Sequence, residues 1–102
     1  MEPASTLTFE GAYHGPGHYR VKIEVISQEG HCANRHKVGD SWIVEHVTPP
    51  GICMSAFNAM CPRLQILEFG GSFPWREDQD EMECACPDGK NPVIFQLRRL
   101  RD

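Results

Sequence analysis

A chain of 102 residues has the length of one ordinary domain, and its 10 Lys and Arg against 14 Asp and Glu leave a net charge of −4. That balance lacks the positive footprint of a nucleic-acid or anionic-membrane binder, and no apolar run approaches the roughly 18 residues of a membrane helix. Met1-Glu2-Pro3-Ala4-Ser5-Thr6 has neither the basic nor the apolar region of a secretory signal, so the expectation is a soluble cytoplasmic domain without nucleic-acid or membrane partners.

Residues 1–18 read as a flexible N-terminal arm and 19–102 as a single domain. Leu7 and Phe9 are the arm's sizeable apolar anchors, and Leu7-Thr8-Phe9 offers at most an edge strand. His14 and His18 would share a face of a helix, but Gly15-Pro16-Gly17 between them breaks one. Tyr19 to Ser27 alternates: Val21, Ile23 and Val25 on one side, Arg20, Lys22 and Glu24 on the other. That is a strand with one wet face. Gly30 to His36 is a loop and Gly39-Asp40 a turn. Ser41-Trp42-Ile43-Val44-Glu45-His46 is rich in β-formers and reads as a second strand.

Pro49-Pro50-Gly51 leads into Ile52–Met60, whose apolar positions Ile52, Cys53, Ala56, Phe57 and Met60 form the stripe of a short amphipathic helix. Pro62 is expected to end it, because a proline in a helix interior removes a hydrogen bond. Arg63–Phe69 alternates imperfectly and is expected to be a short helix or turn running into a strand. Gly70–Trp75 is a loop whose aromatics cap the core, and Arg76–Glu81 is a solvated acidic stretch. Met82–Cys86 and Pro92–Leu100, joined by the turn Pro87–Pro92, complete a hairpin with Val93, Phe95 and Leu97 inward. The expected fold is α+β: a small, mainly antiparallel sheet or partly closed barrel of about four strands with one short helix.

The chemistry lies in five cysteines, Cys32, Cys53, Cys61, Cys84 and Cys86. An odd number without an export signal disfavours a disulfide framework. Cys61, at the end of the helical run, reads as core filling. Cys32 and His36 share one loop; Cys53 stands where a helix starts, a place that favours thiolate over thiol; Cys86 ends a strand at Pro-Asp-Gly. Cys32, His36, Cys53 and Cys86 together make a Cys3His set, which suits zinc, or iron in a redox role. Cys84 competes with Cys86, because the two share a face of a strand. Ends of neighbouring elements cluster at one edge of a small sheet, so the four ligands are expected at one locus. Two further readings stay open. One is a metal-free thiol enzyme, with Cys53 as nucleophile, His36 as base and Asp40 or Asp88 orienting the ring. The other is a binding module whose pocket is lined by Trp42, Phe73 and Trp75.

Four stretches in order carry a resemblance: Gly30-His31-Cys32 with His36-Lys37-Val38-Gly39-Asp40, Pro50-Gly51-Ile52-Cys53, Phe69-Gly70-Gly71-Ser72-Phe73-Pro74-Trp75, and Cys86-Pro87-Asp88 with Asn91-Pro92-Val93. They resemble a family of small prokaryotic proteins of about this length, frequent in anaerobes, over residues 19–100. The family's cysteine, histidine and two further cysteines fall on Cys32, His36, Cys53 and Cys86, while Cys61 and Cys84 lie outside its pattern. Ala33 and Arg35 stand where it usually has Pro and Gly, and Met54 where it usually has Pro. The family has no established reaction, so the resemblance implies a site and no activity.

Overall fold

The apolar-polar alternation from Val21 onward becomes β1, Val21–Gln28, with Val21, Ile23 and Val25 buried. β2, Ser41–Val44, pairs antiparallel with β1 in the register Val21↔Val44 to Glu24↔Ser41. β3, Glu81–Ala85, and β4, Val93–Arg99, form the C-terminal hairpin, and β4 also pairs antiparallel with β1. The sheet order is β2-β1-β4-β3. It is an open antiparallel sheet, not a closed barrel. A register shift between Val25 and Ser27 marks a bulge in β1, and Ile26 there is 36% exposed. The computed structural model describes residues 18–101. The expected arm and the His14 pairing lie outside the described residues.

Among the described residues one helix, α1, Met54–Glu68, packs on β1, β3 and β4. Ala56, Met60, Leu64 and Leu67 recur every three to four positions and are buried in one core cluster with Ile23, Phe95 and Leu97. The expectation that Pro62 ends the helix is corrected: α1 runs through it for 15 residues. Pro62 and Asn58, whose carbonyl loses its donor there, are both exposed, so the missing bond falls on the solvent side of the helix. Meanwhile Leu64 and Leu67 gain core burial by continuing the turn, and tertiary packing outweighs local propensity. β2 is also shorter than expected. It stops at Val44, and His46 two residues on has φ 69, which no strand accommodates.

Two polar clusters tie the far end of α1 to its surroundings. His18 Nε2 and His46 Nδ1 lie 3.1 and 2.9 Å from the same oxygen, Oε2 of buried Glu68, and the Tyr19 amide donates to the Glu68 carbonyl at 2.7 Å. Arg99, also buried, donates from Nε to Asp80, from Nη1 to the Leu67 and Gly71 carbonyls and from Nη2 to that of Gln79. The acidic stretch read as plain solvated surface therefore includes the anchor of a buried arginine.

Candidate metal centre

Three chain ends meet at the opposite end of α1, where the helix begins. The first is the loop after β1. Arg35 donates its amide to the Cys32 carbonyl at 2.9 Å, closing a turn that places Cys32 and His36 on one side. Arg35 has φ 60, the left-handed region that costs an ordinary residue about 1–2 kcal/mol and glycine nothing. The second end is the start of α1, whose N-cap residue is Cys53. The Cys53 amide donates to His36 Nε2 at 3.0 Å, joining the loop to the helix. The third end is the β3–β4 turn. Asp88 accepts from the Lys90 and Asn91 amides and from Asn91 Nδ2, which shapes the turn. Those hydrogen bonds, the Asn91 side chain first, hold the Asp88 carboxyl below the usual carboxylate range. Asn91 Oδ1 accepts the His31 amide at 2.7 Å, so this turn is pinned to the first loop. Gly30 sits directly under that contact. With φ 71, it leaves no room for a Cβ, which would strike the Asn91 side chain.

Cys32, His36, Cys53 and Cys86 all border the one cavity that results, of about 330 Å³. Its remaining wall includes Asn34, Ser55, Asp88, Asn91 and Phe95, and no Lys or Arg among the described residues. His36 is the buried member at 5% exposure; Cys32, Cys53 and Cys86 are half-buried. Trp42 meets the His36 ring edge-on at 5.2 Å and Phe95 at 6.1 Å, which fixes the imidazole plane. Because Nε2 accepts from an amide, the ring carries its proton on Nδ1. Cys86 Sγ accepts the Val93 amide at 3.3 Å. As they stand, no three or more His, Cys, Asp or Glu side chains among the described residues are arranged to hold a metal ion.

Cys84 does not border this cavity. It is buried beneath α1, where Arg63 Nη1 donates to its sulfur at 3.4 Å. Cys86 continues the alternation past β3, half-buried and with its amide donating to the Val93 carbonyl at 2.9 Å, but it borders the cavity while Cys84, two residues earlier, is covered by the core. Nor do Asp40 and Asp88 serve His36. Asp40 accepts the Lys37 amide at 3.0 Å, and Asp88 holds its own turn. The base nitrogen of the thiol-enzyme reading faces a backbone amide. The aromatics of the binding-module reading are divided: Trp42 packs on His36, while Phe73 is buried against Trp75, itself 71% exposed. Glu68 and Arg99, the polar groups buried deepest after folding, carried no sequence signal, since each stands in a stretch of ordinary polar composition. Comparison with protein-family models, with curated proteins and with solved structures found no match.

Proposed function

We propose that this chain is a metal-binding protein that holds one ion through Cys32, His36, Cys53 and Cys86, taking zinc, or iron in a redox role. One observation carries the reading: four residues of the right donor types, from three separate chain segments, border a single cavity without a cationic wall. Three thiolates and an imidazole suit a borderline-soft cation, and an ammonium or guanidinium in the wall would oppose one. The resemblance to the prokaryotic family supports the same four residues. Coordination by His36 takes the Nε2 lone pair, so it replaces the hydrogen bond from the Cys53 amide. Metal binding at these four residues would therefore require the ligand loop to shift. Once bound, the ion would tie the first loop, the helix start and the hairpin turn, linking binding free energy to folding. The proposal includes a reducing, cytoplasmic setting, which five free thiols support.

Cobalt(II) titration of the reduced apoprotein tests this. Thiolate-to-cobalt charge transfer and intense tetrahedral d–d bands should grow to one equivalent and vanish when zinc is added. Cys53→Ser should weaken the bands, and Cys61→Ser should leave them unchanged. Titration without sulfur-to-cobalt bands would overturn the proposal.

A further inference from the structure

Three of the five thiols, those of Cys32, Cys53 and Cys86, border the cavity of the candidate centre, and all three are half-buried. The other two stand apart from it. Cys84 is covered by the core, and Cys61, expected to be core filling, is half-buried on the flank of α1 beside a different cavity. Metal binding needs the three sulfurs reduced. Thiols that share a cavity are also those an oxidant can join, and where thiols are otherwise kept reduced such a disulfide is transient and redox-sensing.

The hydrogen bonds separate the three sulfurs. Cys86 Sγ accepts the Val93 amide at 3.3 Å and lies 3.9 Å from the Asn91 carbonyl oxygen, so it is held against its own turn. The Cys86 backbone extends the β3–β4 pairing through its amide on the Val93 carbonyl. Cys32 and Cys53 lie outside any strand, one in the loop after β1 and the other at the start of α1. Their own contacts run through the backbone: the Cys32 carbonyl accepts the Arg35 amide, and the Cys53 amide donates to His36 Nε2 at 3.0 Å. His36 follows Arg35, so a single imidazole bridges the turn that begins at Cys32 to the backbone of Cys53.

We infer that, given the metal-binding role proposed above, a hydroperoxide joins Cys32 to Cys53 in the metal-free protein, and that this disulfide and the metal exclude one another. One sulfur attacks a peroxide oxygen, the O–O bond breaks, and a sulfenic acid forms as water or an alcohol leaves. The second sulfur attacks the first, the S–O bond breaks, and water leaves. The two thiols together give up two electrons and two protons, and the peroxide takes up both. The link requires α-carbons within about 7 Å of each other, reached by the same loop that metal binding requires to shift. It removes two of the four ligands and leaves only His36 and Cys86, too few for a structural site. Oxidation therefore empties the centre, and reduction restores it.

Reduced, metal-free Cys61→Ser protein is treated with one equivalent of hydrogen peroxide, its remaining thiols are blocked with N-ethylmaleimide, and its unreduced tryptic peptides are read by mass spectrometry. The substitution leaves Cys53 as the one cysteine in its tryptic peptide, between Lys37 and Arg63. The Cys32 and Cys53 peptides should be recovered joined, with two thiols lost, and cobalt binding should fall in step; dithiothreitol should restore both. Zinc bound beforehand should slow the link about tenfold or more, as expected when a ligand holds the unlinked form. Fragmentation of the joined peptides from the unsubstituted chain gives the same assignment without relying on the variant. Peroxide treatment without that link, whether the thiols survive or join through Cys86, would overturn the inference. So would a link that forms as fast with zinc as without it. The joined peptides are read in metal-free protein, so their absence counts against this disulfide alone, whereas cobalt bands missing from the reduced chain count against the metal-binding role.

Discussion

Replacing Arg99 by methionine keeps most of the side chain's volume and removes four hydrogen bonds at once. The guanidinium is 1% exposed and lies 2.9 Å from Asp80 Oδ1, 3.1 and 2.8 Å from the Leu67 and Gly71 carbonyls and 2.6 Å from that of Gln79. Asp80 retains Arg101, so its charge is not orphaned. The carbonyls are left without their donor, and a buried acceptor that loses its partner costs about 1–3 kcal/mol. Three carbonyls lose their donor together, that of Leu67 in a buried hydrogen bond, so at the lower end of that range the total is about 3–5 kcal/mol. Against a typical domain stability of about 5–15 kcal/mol this is a large fraction. Urea denaturation followed by circular dichroism should therefore show Arg99→Met destabilised by about 3–5 kcal/mol. Arg99→Lys should fall between the two, because an ammonium preserves the charge but cannot reproduce the planar fork. A loss below about 1 kcal/mol in Arg99→Met, the range of an exposed ion pair, would refute the argument.

The same cluster sets an acid limit. The Arg101 guanidinium and then that of Arg99 outweigh partial burial and hold the Asp80 carboxyl down from 3.8 to about 2. Because the folded value lies below the unfolded one, this stabilisation is complete above pH about 4 and is lost as pH falls toward 2. Between pH 5 and 2.5, Asp80→Asn should lose less stability than the parent chain, and parallel losses would count against it. Arg35→Gly removes the cost of a left-handed residue and returns part of it as unfolded-state entropy, for a net gain of about 0.5–1 kcal/mol in thermal or urea melts; a loss would contradict the assigned backbone. Pro62→Ala restores a donor to the Asn58 carbonyl in mid-helix and should raise stability by about 1 kcal/mol or more, whereas a helix that shortens would give no gain.

What the sequence makes legible is the periodicity. Val21, Ile23 and Val25, and Val93, Phe95 and Leu97, alternate cleanly because a half-buried strand demands it, and their elements lie where that pattern places them. The helix was legible only as far as its local rules agree. Pro62 signals a stop, and only the distant partners Phe95 and Leu97 explain why Leu64 and Leu67 carry on. The four candidate ligands share a local signature, each beside a turn or at an element's end, and that signature survives in the cavity they border. Their hydrogen bonds were not legible. The pairing of Cys53 with His36, and of His31 with Asn91, depends on which ends the sheet order brings together. Glu68 and Arg99 illustrate the same limit, since nothing local distinguishes a buried charged side chain from a solvated one.

Whether Cys32, His36, Cys53 and Cys86 hold a metal is decided by elemental analysis of protein purified without chelator under reducing, oxygen-free conditions, before and after reconstitution with zinc or ferrous iron. About one equivalent of zinc or iron per chain is expected, as a mononuclear site of this ligand set requires, lost in Cys53→Ser and retained in Cys61→Ser. Metal near zero both before and after reconstitution, or equal metal in the two variants, would contradict it.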